Sequence, residues 1–416
     1  MGKKRKKSVS RVAEIPVPAL FLERMRERLG EDGARAFAAA LAEPPSVAIR
    51  LNRRKVADPE AFMRRFAAYG VSPVEWCPSG YRLERRPQFV HDPLLHAGLY
   101  YVQEAASMVY ESIVAALMSR PGLRDGDRRL RVLDLCAAPG GKSTAILNGL
   151  SGNYLLVANE FDRARARILK ENLDKWGDPN VIVTNSPTGK FGELKELFDI
   201  VAVDAPCSGE GMMRREPVAR SQWNPGLVEQ CAALQRDILA DAVAALRPGG
   251  YLIYSTCTFN EEENERNVEW LGERYGLSVV GSPRRFMPHE VECEGLFVAL
   301  LQKPGSPDIA PAESALRKAG LNILGEGTEK TTMKGSVEIP SSRQVLAYDY
   351  DRSAFPLVNL DLDGALAYLR RNALTLPPDT PQGYVAVAYE GYPLGLVKNL
   401  GARANNLYPS EWRVMI

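Results

Sequence analysis

The stretch RVLDLCAAPGGKST, residues 131 to 144, decides how the chain is read. Val132 to Leu135 is a short apolar run of the kind that forms a buried parallel strand. Ala137, Ala138, Pro139, Gly140 and Gly141 then turn it into a helical stretch, Lys142 to Leu150. A strand, a glycine turn and a helix start suit a nucleotide-like cofactor, because adjacent glycines admit close backbone approach and a helix N-terminus favours an electronegative group. A phosphate-cradling loop needs a glycine five residues before the second glycine of its Gly-Lys-Ser, and Cys136 stands there. The dinucleotide pattern Gly-x-Gly-x-x-Gly is absent too.

A second strand-like run, Leu155 to Ala158, ends in Asn159-Glu160, which puts a carboxylate where ribose hydroxyls are bound. A nucleoside without phosphates fits better than a nucleotide, and S-adenosylmethionine is the common one on such a sheet. A purely structural strand, turn and helix with a solvated glutamate is equally open from these residues alone.

Further strands follow. Asn180 to Val183 leads to Asn185, where a polar side chain can meet an adenine, and a helix over Asp162 to Trp176 precedes it with Ala166, Leu169 and Leu173 on one face. Phe198 to Val203 leads into Asp204-Ala205-Pro206-Cys207, and Tyr251 to Tyr254 into Ser255-Thr256-Cys257. Ligands bind at the carboxyl ends of parallel strands, so two cysteines reach one mouth. Cys231, at helical spacing within Leu227 to Leu246, reads as core, and Asn260-Glu261-Glu262-Glu263 reads as a helix cap with acids on its positive end.

A thiolate can add to carbon 6 of a pyrimidine and make carbon 5 nucleophilic enough to take a methyl group. A second thiolate can assist loss of the carbon 5 proton, help typically worth roughly 10²- to 10⁴-fold. Asp204, bridged by Lys142, can hydrogen-bond the ring, and the base must be single-stranded or flipped out.

With 416 residues the chain has room for two or three domains. No apolar run reaches membrane-spanning length and the N-terminus lacks a signal-peptide core, so a cytoplasmic location and no membrane partner are expected. The six cysteines show neither Cys-x-x-Cys spacing nor pairing with the three histidines, so no metal site is expected.

The expected division is a basic arm over 1–10 carrying Lys3 to Lys7, an N-terminal α/β module over 11–97, a doubly wound core over 98–302, a linker over 303–342 and a final module over 343–416. In the N-terminal module Arg50, Arg53, Arg54, Lys55, Arg64, Arg65, Arg82, Arg85 and Arg86 suit an RNA backbone or a solvated face equally. Leu20 to Leu29 and Ala34 to Leu41 read as helices, Ser46 to Leu51 and Val74 to Trp76 as strands, and 99–118 as an apolar helix in which Gln103, Glu104 and Ser107 line the cofactor mouth or cap the helix. At the C-terminus Lys398, Arg403 and Arg413 with Tyr408 and Trp412 suit phosphate contact and base stacking, or a small β domain with an aromatic core.

LDLCAAPGGKST, VDAPCSGEGMMRREP and YSTCTFNEEENE resemble three motifs of the Sun-type RNA cytosine-5 methyltransferases, and YVQEAASM resembles their preceding helix motif, over about residues 87 to 302. Paired Asp-Ala-Pro-Cys and Thr-Cys motifs on successive strands separate this family from DNA cytosine methyltransferases, which use one Pro-Cys nucleophile. The resemblance implies an α/β fold with a Rossmann-like core that takes S-adenosylmethionine. It also implies that Cys257 is the nucleophile, that Cys207 assists release, and that Cys136 to Lys142, Glu160 and Asp204 contact the cofactor with Arg165 in support. Relatives often carry an acid where Asn185 stands. The chain's end resembles the PUA-like α+β domain of bacterial enzymes that modify small-subunit ribosomal RNA, which points to cytidine in 16S rRNA or the 30S subunit. The rivals are a tRNA cytidine-5 methyltransferase and a non-catalytic RNA-binding assembly factor; a missing cysteine would favour the latter, and both cysteines are present.

Overall fold

The computed structural model describes residues 15–120, 123, 128–306 and 313–415; the basic arm expected over 1–10 lies outside them. The chain opens with helix α1, Ala19–Ala42, whose two halves meet at Gly30 in a left-handed conformation. Strands β1 (Ala48–Leu51), β2 (Val71–Val74), β3 (Cys77–Leu83) and β4 (Tyr100–Val102) form a four-stranded antiparallel sheet in the order β2-β3-β1-β4. Two expectations change here. Val74 to Trp76 is the end of β2 and its turn into β3, and the supposed helix over 99–118 begins with a strand. Tyr100 and Val102 pair with Leu51 and Ile49, so tertiary pairing overrides the helical pattern and only α2, Val109–Met118, is helical. The N-terminal sheet thus reaches past residue 97.

The central sheet holds five parallel strands: β5 (Leu130–Asp134), β6 (Tyr154–Asn159), β7 (Val181–Thr184), β8 (Phe198–Asp204) and β9 (Leu246–Thr256). They lie in the order β7-β6-β5-β8-β9. Helices α3 (Gly141–Gly149) and α4 (Arg163–Trp176) connect the first three, and α5 (Pro225–Ala245) leads into β9. Buried apolar side chains line both faces of the sheet, the pattern of strands covered on both sides by helices. The chain runs outward from β5 through β6 to β7, then returns to β8 on the other side of β5. That reversal opens a crevice at the carboxyl ends of β5 and β8. Helix α6 (Glu265–Tyr275) and strands β10 (Ser278–Val279), β11 (Arg284–Phe286) and β12 (Leu296–Gln302) complete the sheet beyond β9.

The described part of the expected linker from residue 313 onward is structured. Helix α7 (Ser314–Lys318) precedes β13 (Ile323–Glu326), which adds antiparallel to β7, and β14 (Thr331–Lys334) and β15 (Val337–Pro340) form a hairpin. Of the glycines that suggested a linker, Gly305, Gly320, Gly327 and Gly335 sit in turns or bends beside these elements, and Gly325 lies within β13. The last module is a four-stranded sheet of β16 (Leu357–Leu360), β17 (Gly383–Tyr389), β18 (Tyr392–Asn399) and β19 (Ala404–Asn406), covered by helix α8, Leu362–Leu369.

Tyr408 and Trp412 are buried in its core, so they offer no stacking surface. One apolar cluster joins Ile49, Leu51, Phe62 and Tyr100 of the N-terminal module to Leu369, Val385 and Trp412 of the last, so the chain's two ends share a core. Among the described residues no helix is long and apolar enough to cross a membrane.

Two of the nine N-terminal basic residues, Arg50 and Arg82, are internal. Arg50 is fully buried; it donates to Gln103 Oε1 (2.9 Å), the Thr144 carbonyl (3.1 Å) and the Gly141 carbonyl (3.2 Å), fastening β1 to α3. Arg82 is also buried, against Glu75 and the Trp76 ring.

Candidate active site

The crevice is built from strand ends. Asp134 closes β5 and the chain passes through Cys136 to Gly140, whose left-handed backbone starts α3. Gly141 packs inward, where an added Cβ would meet Tyr101 and Gln103 at 3.3 to 3.4 Å, so its small size serves the seam with the N-terminal sheet. Ala137 and Ala138 are buried behind the crevice, and the carbonyl of exposed Pro139 accepts the Asn172 amide. Of the polar positions before α2, Glu104 caps the turn at Ala106 and Ser107, and Gln103 serves Arg50.

A cavity of about 550 Å³ opens at the switch point, lined by Cys136, Glu160, Phe161, Arg165, Asp204 and Cys207, with Leu234 and Ile238 of α5 opposite. Its size suits a small-molecule site. Arg165 donates to the Ala138 carbonyl (2.7 Å) and lies 3.4 Å from Glu160, so it ties α4 to the loop and steadies the carboxylate. Phe161 is 70% exposed, an apolar face beside a carboxylate. Asn185 takes another place: its amide donates to the carbonyls of Glu160 (2.8 Å) and Phe161 (2.7 Å), bracing that turn. A carboxylate, an aromatic face and an apolar wall have the chemistry that the adenosyl part of S-adenosylmethionine would need. Phe161 was missed in the sequence, although an aromatic in a strand-end turn is a visible signal.

Lys142 lies across the crevice and donates to Asp204 Oδ2 at 2.7 Å. Burial lowers the Lys142 pKa, but the charge and hydrogen bond of Asp204 lead the opposing effects, and the net shift is above the ordinary range. The other oxygen, Oδ1, accepts the Ser255 hydroxyl (2.7 Å), which in turn accepts from Tyr110 (2.8 Å). Both carboxylate oxygens are thereby held, and Asp204 faces the cavity with a fixed orientation.

The two cysteines meet. Cys207 follows β8, Cys257 follows β9, and their Sγ atoms are 3.3 Å apart. The hydrogen bond to Cys257, then burial, push the Cys207 thiol well above the ordinary range. Cys207 therefore stays a thiol. Cys136, buried next to Asp134, is likewise pushed up and remains a thiol.

Two buried carboxylates hold these loops, one that the sequence places on a helix's positive end and one that it does not single out. Glu263 lies before α6 rather than in its first turn, and accepts from Ser208, Gln235 and Asn260. Glu210 accepts the N–H groups of Phe259 (2.7 Å) and Asn260 (3.0 Å) and the indole of Trp223 (2.9 Å). Gly211 passes so close that a Cβ would sit 2.8 Å from the Cys257 carbonyl. Cys231 is half-exposed, because the neighbouring face of α5 borders the crevice instead of the core.

This site lies in a chain whose residues 123–302 match the family described as 16S rRNA methyltransferase RsmB/F. Residues 17–105 match the N-terminal domain of 16S rRNA methyltransferase RsmF and 355–414 the RsmF PUA domain. A ribosomal RNA small subunit methyltransferase F of Cronobacter sakazakii is 36% identical over 97% of this chain and 98% of its own length.

The chain belongs to the RsmB/F methyltransferase family.

A ribosomal RNA small subunit methyltransferase F of Escherichia coli O157:H7 is 33% identical over 95% of this chain and 96% of its own. Among solved structures, a methyltransferase homolog protein from Pyrococcus horikoshii is similar with a TM-score of 0.56 and 26% identity, over 69% of this chain and all of that one (100%). NSun6 from the same organism shares the fold with a TM-score of 0.57 at 22% identity, over 70% of this chain and 99% of that one. The family is S-adenosylmethionine-dependent, in keeping with the Rossmann-like core and the C-terminal PUA domain described above. The strand-end cysteines, the crevice and Lys142 all fall within the matched methyltransferase segment of the RsmB/F family.

Proposed function

We propose that this chain methylates carbon 5 of cytidine in 16S rRNA through a covalent adduct between the base and Cys257. The observation that carries the reading is the 3.3 Å approach of Cys207 and Cys257 beside a cavity that suits an adenosyl group. One cysteine at this place would be an ordinary buried thiol; two in contact form a proton-sharing pair.

Glu160, with Phe161 and Arg165, would hold S-adenosylmethionine at the β6 end, and Cys136, Ala137, Ala138, Pro139, Gly140, Gly141, Lys142 and Asp204 form the rest of the proposed cofactor edge. When bound, the cofactor supplies an electrophilic methyl group to carbon 5. The Cys257 thiolate forms a bond to carbon 6 of a base taken out of its stack, and the ring's electron pair moves to carbon 5. Asp204, oriented by Lys142 and Ser255, accepts a hydrogen bond from the cytosine amino group, and the Lys142 ammonium offsets the negative charge that addition places on the ring. After transfer the carbon 5 proton passes to Cys207, which serves as the base once its own thiol proton has gone to solvent; the electron pair of that bond restores the carbon 5–carbon 6 double bond, the carbon 6–sulfur bond breaks, and the Cys257 thiolate departs. The support for these roles is the 3.3 Å contact of the two sulfurs beyond the ends of β8 and β9, together with the resemblance of the Asp-Ala-Pro-Cys and Thr-Cys motifs.

The choice of 16S rRNA rests on what the relatives' names say of those proteins, and on the PUA domain. The test is transfer of labelled methyl from S-adenosylmethionine to 16S rRNA, 30S subunits and tRNA, followed by nucleoside analysis. Label in 5-methylcytidine of 16S rRNA is expected. Label only in tRNA would overturn the substrate, and label on another nucleoside would overturn the chemistry.

A further inference from the structure

Helix α4 has the cofactor crevice at its N-terminal end. At its other end a second cavity, about 100 Å³, lies where the N-terminal and C-terminal modules meet. Arg54, Lys55, Tyr348, Tyr350, Arg352 and Tyr392 line it among apolar neighbours, and no carboxylate does. The Lys55 ammonium donates to the carbonyls of Ala97 (2.8 Å) and Lys175 (2.7 Å), which leaves the third of its three N–H donors. Among the described residues neither Lys55 nor Arg352 is ion-paired; Arg352 is exposed and makes only a 3.4 Å contact with the Gly391 carbonyl. The Tyr350 hydroxyl is shielded from water and has no hydrogen-bond partner. Arg54 stacks on the Tyr348 ring at 4.9 Å and is offset in part by Asp178 at 3.8 Å.

Capping of helix ends accounts for two of the Lys55 donors. Arg54 directs its guanidinium to the Leu150 carbonyl (3.1 Å), the Tyr154 hydroxyl (3.0 Å) and Asp178, but nothing among the described residues accounts for the remaining Lys55 donor, Arg352 and an orphaned hydroxyl around a cavity whose lining holds no acid. Burial brings Lys55 down to about 7, with no carboxylate to oppose it, so an arriving anion would be met by a group ready to take up a proton. Donors without acceptors around a small cavity are what a phosphate group satisfies.

We infer that this cavity binds a backbone phosphate of the RNA substrate, at a subsite on the order of 20 Å from the cofactor crevice along α4. The inference rests on the RNA reading above. Because the two sites lie at opposite ends of one helix, a strand that reaches both must run the length of α4. A short RNA that fills only the cysteine mouth would not touch the subsite.

The full chain, as wild type, Arg352→Glu and Tyr350→Phe, is tested without cofactor for binding to 16S rRNA over a salt series and to the shortest RNA fragment that is methylated, and with S-adenosylmethionine for methylation of both. Expected for Arg352→Glu is rRNA affinity lower by tenfold or more and a salt slope reduced by about one, with the fragment bound and methylated as by wild type. Tyr350→Phe should weaken rRNA binding severalfold with little change in slope. Equal affinities and slopes in all three proteins would overturn the inference. So would millimolar inorganic phosphate raising the melting temperature of wild type but not of Arg352→Glu while rRNA binding stays equal, which would assign the site to free phosphate. If wild type methylates no RNA but the slopes differ as stated, the proposed reaction falls and the subsite stands.

Discussion

Glu263, with no exposed surface, accepts the backbone N–H of Ser208 at 3.0 Å, one residue beyond Cys207. It also accepts from the Gln235 and Asn260 side chains, each at 2.7 Å. One carboxylate thus ties the loop of one cysteine to the loop of the other. Glu263→Ala would strand three buried donors at about 1–3 kcal/mol each, so stability should fall by several kcal/mol. A slack of about 1 Å between the sulfurs should slow methyl transfer by roughly 10²-fold. Thermal unfolding and single-turnover rates check this; an unchanged rate in a folded variant would refute the bracing role.

Lys142→Met removes the cation 2.7 Å from Asp204 and leaves the carboxylate with the Ser255 hydroxyl alone. Loss of the fixed, charge-balanced donor system facing the ring should lower kcat by roughly 10²- to 10³-fold. RNA affinity, set elsewhere by phosphates, should change little. Steady-state kinetics separate the two.

Glu160→Ala should weaken S-adenosylmethionine binding by roughly 10- to 100-fold, the worth of hydrogen bonds to a charged group. Calorimetric titration reads it directly. Asn185→Ala, which removes only the amide bracing the carbonyls of Glu160 and Phe161, should cost less than Glu160→Ala.

Asp134 gives the fold a pH signature. Burial raises its carboxyl to about 7, against an ordinary value of 3.8, with the Ser143 hydrogen bond opposing. Between those values the unfolded chain has released a proton that the folded chain keeps. Stability from this group is therefore full below about 4 and falls as pH rises to about 7, by up to about 4 kcal/mol. Asp134→Asn should flatten the dependence of unfolding free energy on pH across that window. A profile identical to wild type would contradict the assignment.

The parallel sheet was legible because Val132 to Leu135, Leu155 to Ala158 and Phe198 to Val203 are apolar runs ended by turn residues, and a strand buried on both faces needs no more than that. The strand-end rule then brought Glu160, Asp204, Cys207 and Cys257 to one edge. What stayed hidden depended on partners far away in sequence. Cys77–Leu83 carries Pro, Ser and Gly and becomes a strand only between two others; Tyr100–Val102 extends an apolar run and is a strand because β1 lies beside it. Charge misled for the same reason. Arg50 and Glu263 look solvated in the sequence, yet each is buried with its partners supplied by other elements. Tyr408 and Trp412 beside basic residues suit a base-stacking platform as well as a core, and packing decided for the core.

The central claim is the division of labour between two sulfurs 3.3 Å apart. The direct measurement incubates wild type, Cys257→Ala and Cys207→Ala with S-adenosylmethionine and 16S rRNA, then resolves protein–RNA complexes under denaturing conditions. Cys257→Ala should give no adduct and no product, and Cys207→Ala should accumulate a complex that survives denaturation. An adduct formed by Cys257→Ala, or ordinary turnover by Cys207→Ala, would contradict the account.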